Sequence, residues 1–174
     1  PRHIDYSNHK LGGIEDICFL TPELITAYRP VCLDLGGIAK GFAVDMAVKI
    51  LISEGISSGI VNAGGDLRVF GHPKRVCIRN PKSPSQLIEI GDLQNAAIAT
   101  SGLYFANRDQ AVSHLINPLA TDEAEIHLQA TGSYSIVAKE CIYADALTKV
   151  LAISKQFNHP CFAQFSAQAI QIPS

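Results

Sequence analysis

The sequence has little charge and no excess of either sign. Charged residues make up 17% of the 174 residues, and 14 basic against 16 acidic side chains leave a formal net charge of -2. Domains that bind nucleic acids usually carry a clear excess of Lys and Arg, so no nucleic-acid partner is predicted. The hydrophobic fraction of 47% excludes a disordered chain.

Long apolar runs are also missing. No run approaches the ~18 to 20 residues that a membrane-spanning helix needs, so no membrane span is predicted. Residues 1–10 are polar and contain no apolar core of a signal peptide. The residues themselves therefore leave the cellular compartment open.

The five cysteines lack any metal-binding or redox spacing. No CxxC pair is present, which removes support for zinc-ribbon and thioredoxin sites. We expect all five to be small buried hydrophobic side chains. They are Cys18, Cys32, Cys77, Cys141 and Cys161.

Hydrophobic periodicity predicts two helices among a larger number of strands. Apolar residues recur at helical spacing from Ala39 to Leu51, with a stop at Gly55, and a second helix is predicted from Cys141 to about Ser154. Residues 1–30 are expected to be irregular with a short strand. The other strand candidates are 31–35, 60–63, 87–90, 96–100, 112–117 and 133–138, a hairpin of 67–70 with 75–79, and one or two closing strands in 161–172. This order predicts a single α+β domain in which a largely antiparallel sheet carries the helices on one face.

Two glycine pairs each follow a predicted strand. The segment DLGGIAKGFAVD (34–45) leads into a helix N-terminus, where free N–H groups and Lys40 favour an anion. Alternatively, its glycines form only a tight turn and Lys40 is solvated. The segment NAGGD (62–66) either exposes backbone N–H groups to a ligand or forms a common hairpin turn.

Two further segments carry hydroxyl, imidazole and carboxylate groups. The hydroxyls in ATSGLY (99–104) can bind phosphate or ribose, and His114 in SHLINP (113–118) is either a general base or a hydrogen-bonded core histidine. Asp145 in ADAL (144–147) lies in an apolar helical run and needs a partner or a metal ion. An ion pair with Lys149 at i+4 and a metal-ligand role are both open.

These five segments, in this order, resemble the ApbE family of flavin transferases, which move FMN from FAD onto a threonine of a protein. The resemblance covers about residues 31–154. It implies an α+β fold with a central antiparallel sheet. It also implies that the chain is a single ApbE-like domain, 1–174, without the N-terminal portion with which the family encloses the flavin.

The resemblance implies FAD and Mg²⁺ as the ligands and assigns roles to particular residues. His114 and Asp145 are the implied catalytic residues, and the implied metal ligands are Asp145, Gly37 and Thr148. Alternatively, the ammonium group of Lys149 takes the place that a metal ion would otherwise occupy. The implied nucleotide contacts are Asp34, Gly36, Gly37, Lys40, Gly64, Gly65, Thr100, Ser101 and Gly102.

The implied reaction transfers FMN from FAD to a threonine of an acceptor protein and releases AMP, with Mg²⁺ neutralising the diphosphate. The alternative is a non-catalytic relative that binds flavin or nucleotide and has a degenerate metal site. By resemblance the protein is periplasmic or exported, although the chain shows no signal segment.

Overall fold

The computed structural model describes residues 11–83, 85–102, 117 and 133–171. Cα packing divides the chain into two compact units, Pro1–Leu35 and Gly36–Ser174. The helices are α1 (Ala39–Ser53), α2 (Cys141–Ser154) and α3 (Pro160–Gln164), with one 3₁₀ turn at Ile14–Asp16. The strands are β1 (Ile17–Thr21), β2 (Leu24–Ala27), β3 (Gly59–Ala63), β4 (Asp66–Phe70), β5 (Lys74–Arg79), β6 (Leu87–Leu93), β7 (Ala96–Gly102), β8 (Ser133–Ala138) and β9 (Gln168–Gln171).

The first unit contains an antiparallel hairpin. β1 pairs with β2, with Ile17 opposite Ala27, in a segment for which the sequence predicted only one short strand. The Arg29 guanidinium donates to Asp16 over 2.8 Å. The strand predicted at 31–35 does not form. Residues 32–35 are exposed, so their apolar side chains gain no burial from an extended conformation.

The second unit is built on a five-stranded antiparallel sheet in the order β3-β4-β7-β8-β9. The predicted hairpin of β4 with β5 is wrong, because β4 pairs with β3 and β7 while β5 pairs with β6. Val76 and Ile78 of β5 are buried against Leu67 and Val69 of β4. The β5–β6 ribbon therefore lies on a face of the sheet and does not extend it.

The two long helices pack on the opposite face, as the sequence predicted. Alternate residues of β7 point to opposite sides, so Ala97 and Ala99 contact the helices whereas Ile98 contacts the β5–β6 ribbon. The helix-side core combines small sheet residues with Val44 of α1 and Leu151 of α2. Alanines on the sheet leave room for α2 to lie close to the strands. The α+β prediction is confirmed, and the whole core lies between sheet and helices on one side and sheet and ribbon on the other.

A glycine sets the contact between the two long helices. A Cβ at Gly41 would lie 2.4 Å from the main-chain oxygen of Cys141, so only glycine permits this approach. The Asp45 carboxylate of α1 then accepts hydrogen bonds from the N–H groups of Cys141 and Ile142, over 2.9 and 2.8 Å. A side chain of α1 therefore caps the N-terminus of α2. Arg68 also donates to Asp45, over 2.6 Å.

Two other expectations about the chain need correction. Of the five cysteines, Cys141 is buried, but Cys32 and Cys77 are exposed. Cys77 occupies an outward position of β5 between Val76 and Ile78, which are buried. The closing segment forms the short helix α3 before its one strand, because Pro160 suits the first turn of a helix and His159 caps it.

The helices are short. The longest described helix, α1, has 15 residues, which at 1.5 Å per residue is well below the ~30 Å core of a bilayer. Within residues 11–83, 85–102 and 133–171, no helix has the length and apolarity that a membrane crossing requires.

Candidate functional site

A buried carboxylate joins the two long helices to the sheet. The Asp145 side chain of α2 is 1% exposed and accepts a hydrogen bond from the Gly41 N–H over 3.1 Å. The Lys149 ammonium donates to its Oδ1 over 2.5 Å, and the Lys40 ammonium lies 3.3 Å from its Oδ2. Lys40 also donates to Asp66, at the start of β4. We call Lys40, Asp66, Asp145 and Lys149 the charge cluster.

Charge balance explains why the two carboxylates of the charge cluster can be buried. Its two carboxylates and two ammonium groups sum to zero formal charge, and an unpaired charge at these positions would be costly. Burial lowers the pKa of Lys40, but its hydrogen bonds and charge interactions with Asp66 and Asp145 outweigh this and raise it. Lys40 therefore stays cationic at neutral pH. Burial, together with the charge of Asp145, raises the pKa of Asp66 despite Lys40.

The glycine turn before α1 meets the charge cluster. A Cβ on Gly37 would lie 3.2 Å from Cε of Lys149, so the aliphatic part of the Lys149 side chain runs along this turn. Gly36 is the preceding residue. The Asp145–Lys149 ion pair considered in the sequence is present, and Lys40 joins it. Gly37 of the first glycine pair thus lies beside the lysine that pairs with the acidic side chain of α2.

A cavity of about 600 Å³ opens on the ribbon side of the sheet. This volume lies within the range typical of small-molecule sites. Its walls come from the ends of β3, β4 and β7 and from the β5–β6 ribbon. They are formed by Asn62, Gly64, Gly65, Leu67, Cys77, Ile78, Arg79, Leu87, Ile98, Thr100 and Gly102.

The second glycine pair is both a turn and a wall of the cavity. Ala63 pairs with Asp66, so Gly64 and Gly65 form a two-residue hairpin loop with φ of +66° and +106°. Such positive values favour glycine in this type of turn. The Gly65 N–H donates to the Asn62 side chain over 2.9 Å. The hairpin turn is therefore confirmed. Because Asn62 accepts from the Gly65 N–H, binding of a ligand by the N–H groups of this loop stays a prediction.

Thr100, Ser101 and Gly102, which the resemblance implied as nucleotide contacts, are divided between the two faces of the sheet. Thr100 and Gly102 line the cavity, whereas the Ser101 hydroxyl lies 2.7 Å from the Thr148 hydroxyl of α2 on the helix side. Thr100 also shares a hydrogen bond of 2.8 Å with Ser135 of β8. Cavity and charge cluster thus lie on opposite faces of the sheet and are linked through adjacent residues, Ser101 to Thr100 and Asp66 to Gly65.

The residues present do not fit a divalent metal ion in this arrangement. Lys149 donates to both Oδ1 and the main-chain oxygen of Asp145, over 2.5 and 3.0 Å. The fully buried Thr148 hydroxyl donates to that same main-chain oxygen over 2.7 Å. Two unit positive charges 4 Å apart repel by about 4 kcal/mol at an effective dielectric constant of ~20, and a divalent ion doubles that for each ammonium.

A count of ligand types agrees with this conclusion. Within the part of the chain that the structure describes, no group of three or more His, Cys, Asp or Glu side chains is placed to hold a metal ion. These ligand types do not include the main-chain oxygen of Gly37 or the Thr148 hydroxyl, so the metal-ligand roles of Asp145, Gly37 and Thr148 stay predictions. The contact of Lys149 with Asp145 argues against them.

Two predicted site residues lie outside this arrangement. His114 lies outside the described residues, as does most of the SHLINP segment. Asp34 is exposed and belongs to the first unit. Their roles remain predictions.

Four residues that hold the site together were not predicted from the sequence. Gly41, Asp45 and Asp66 all lie inside the quoted segments, but only the structure shows their contacts with α2 and with Lys40. Arg68, the partner of Asp45, lies on β4. The available signal was Asp45, an acidic residue in the apolar helical run of α1, since such a residue requires a partner.

The comparisons with known proteins identify the family. The sequence model of the ApbE family matches residues 2–170. This chain belongs to the ApbE family. It is 33% identical over 155 residues to the FAD:protein FMN transferase of Vibrio cholerae serotype O1, covering 82% of this chain and 45% of that protein. It is 30% identical to the FAD:protein FMN transferase of Rhodobacter capsulatus, covering 87% of this chain and 30% of that protein.

A solved ApbE structure shares the fold. The apo crystal structure of Pseudomonas stutzeri flavinyl transferase ApbE matches with a TM-score of 0.65 and 25% identity, over 82% of this chain and 44% of that one. The resemblance seen in the sequence and the α+β fold are thus confirmed. The chain spans less than half the length of these ApbE proteins.

Proposed function

We propose that this chain binds FAD and transfers FMN from it to a threonine of an acceptor protein, with release of AMP. Membership of the ApbE family and the names of its relatives support FAD as the substrate. The arrangement that supports nucleotide binding is the cavity with its glycine-bearing hairpin, together with the two ammonium groups of the charge cluster, which lies on the other face of the sheet and adjoins this hairpin at Asp66.

The polar groups of the cavity and the charge cluster suit a dinucleotide. The cavity offers the hydroxyl of Thr100 and a hairpin loop without side chains at Gly64 and Gly65, where the backbone is open to close approach. A Cβ on either glycine would meet nothing within 4 Å. Lys40 and Lys149 lie on the other face of the sheet, beside the glycine turn before α1. We place the diphosphate at this turn, because a diphosphate requires positive charge for binding.

In the proposed reaction, the hydroxyl oxygen of the acceptor threonine forms a bond to the FMN-side phosphorus of FAD. The bond from that phosphorus to the bridging oxygen breaks, AMP leaves with this oxygen, and the threonine loses its proton. Catalysis of such a transfer is mostly positioning and stabilisation of negative charge. Lys40 and Lys149 meet the second need, and His114 stays the predicted proton acceptor.

Magnesium is not part of this proposal. The sequence resemblance implied Mg²⁺ on Asp145, but both ammonium groups of the charge cluster contact this carboxylate. We therefore assign the charge-neutralising role to lysine side chains of this chain.

A titration of the purified chain with FAD tests the proposal. Without an acceptor protein, water takes the place of the threonine hydroxyl, so that FAD is split into FMN and AMP. Quenching of flavin fluorescence reports binding, and chromatography of the nucleotides reports AMP. We expect saturable binding and formation of AMP, with both reduced in Asp145→Ala because this change removes the carboxylate that holds the Lys40 and Lys149 ammonium groups in place. Asp92→Ala removes an exposed carboxylate of β6 and serves as the matched control, with both values unchanged. Absence of FAD binding by the wild-type chain contradicts the proposal.

A second candidate is a flavin-binding relative without transferase activity. Lys40 and Lys149 favour this second candidate, because both pair with the Asp145 carboxylate that would otherwise bind a metal ion. Saturable FAD binding without any AMP, even with prolonged incubation, would select this candidate.

A further inference from the structure

We propose that the Lys149 ammonium is a built-in cation of the nucleotide site, so that FAD binds to this chain without a divalent metal ion. This inference rests on the proposed function, since it concerns the same site. It differs from that proposal in naming what neutralises the diphosphate and in predicting how binding responds to metal ions.

The position of the ammonium supports this role. Lys149 is held by two oxygens of a single residue, Oδ1 and the main-chain oxygen of Asp145, over 2.5 and 3.0 Å. A carboxylate oxygen and a carbonyl oxygen are the donors that a hard cation such as Mg²⁺ takes in proteins. Here both point at a cation that is covalently part of the chain.

The side chain of Lys149 is also fixed along its length. Its Cε lies against Gly37, where a Cβ would come within 3.2 Å, and the side chain is 24% exposed. The ammonium is therefore partly buried on Asp145 but is not sealed from the solvent. A bound anion can share this ammonium with Asp145, because an ammonium group has three donors.

The remaining contacts of Asp145 leave little room for a second cation. Lys40 lies 3.3 to 3.4 Å from both carboxylate oxygens, and the Gly41 N–H donates to Oδ2. A metal ion on this carboxylate would have to displace Lys149 and stay next to Lys40. When Lys149 is replaced by an uncharged residue, Oδ1 of Asp145 loses this donor, while the main-chain oxygen still accepts from Thr148.

The test compares FAD affinity in EDTA and in excess MgCl₂ for the wild-type chain, Lys149→Met and Lys149→Gln. Lys149→Gln keeps a hydrogen-bond donor toward Asp145 without the charge, which separates loss of charge from loss of packing. Lys49→Met removes an exposed lysine of α1 and is the matched control. Circular dichroism reports whether each variant is folded, and binding of Mn²⁺ to each chain without nucleotide is followed by electron paramagnetic resonance.

We expect equal wild-type affinity in the two buffers and no Mn²⁺ binding. Both neutral variants should lose about 10- to 100-fold in FAD affinity in EDTA, the effect of one charge-assisted contact, and should regain part of it with Mg²⁺. Lys49→Met should behave as wild type. Mg²⁺-dependent binding by the wild-type chain, or unchanged affinity of folded Lys149→Gln in EDTA, overturns the inference alone. Absence of wild-type FAD binding in both buffers overturns the proposed function and this inference with it.

Discussion

The contact between α1 and α2 at Gly41 can be tested by a single methyl group. In Gly41→Ala the new Cβ would lie 2.4 Å from the Cys141 oxygen and 2.8 Å from Cα of Ile142, whereas ordinary contacts begin at 3.4 Å. Both atoms belong to the backbone, so no side-chain rotation relieves the clash. The helices must separate by about 1 Å at their N-terminal ends.

This separation costs free energy because it stretches the hydrogen bonds from Cys141 and Ile142 to Asp45, now 2.9 and 2.8 Å, beyond hydrogen-bond length. Bonds to a charged acceptor are worth about 1.5–3 kcal/mol each. The better helix propensity of alanine returns at most about 1 kcal/mol. We expect a net loss of about 2–5 kcal/mol.

Urea unfolding followed by circular dichroism measures this loss as a lower midpoint at unchanged slope. Ala43→Gly, at an exposed position of α1, is the control and should cost only about 1 kcal/mol through helix propensity. FAD affinity should fall in Gly41→Ala as well, because the Gly41 N–H donates to Asp145. If Gly41→Ala is as stable as the wild-type chain, the helix contact described above is wrong.

Three further predictions concern single residues. Asp45→Ala should cost about 3–5 kcal/mol of unfolding free energy, since it leaves a guanidinium and two helix N–H groups without their acceptor. The control Asp92→Ala removes a carboxylate from an exposed ion pair and should cost less than about 1 kcal/mol. Equal losses of the two variants would contradict the prediction. Burial first, then the neighbouring carboxylates, raise the pKa of the Cys141 thiol to about 12 from 9.0. The thiol of the unfolded chain therefore loses its proton at a lower pH than that of the folded chain, and stability falls as the pH rises above 9. Between pH 8 and pH 10 the wild-type chain should lose about 1.4 kcal/mol more unfolding free energy than Cys141→Ala in urea unfolding, and parallel losses would refute the assignment. Gly65→Val should lower the free energy of unfolding by about 1–3 kcal/mol because φ is +106° there, and it should also block FAD binding. The control Gly91→Val, at φ of +117° outside the cavity, should show the loss of stability without the loss of binding. Equal FAD affinity of both variants would contradict a role of the hairpin in binding.

Elements with a local signal were predicted well. The apolar spacing of α1 and its stop at Gly55 depend on neighbouring residues only, and Gly55 indeed has φ of +85°. The helix Cys141–Ser154 and the strand Ser133–Ala138 have the predicted bounds. The pairing of β5 was predicted wrongly, because nothing in its residues states whether the partner is the preceding strand β4 or the following strand β6.

The sequence alone determined which segments carry the candidate site, because each glycine pair, hydroxyl group and helix carboxylate stands in a recognisable local order. Only the tertiary structure decided their relations. It placed Thr100 and Ser101 on opposite faces of one sheet and brought Lys40 to the same carboxylate as Lys149. The physical reason is that residue type and local periodicity can be read from a few neighbouring positions. Burial of a charged side chain depends instead on partners that are distant in the sequence, as Lys40 and Asp145 are, 105 residues apart.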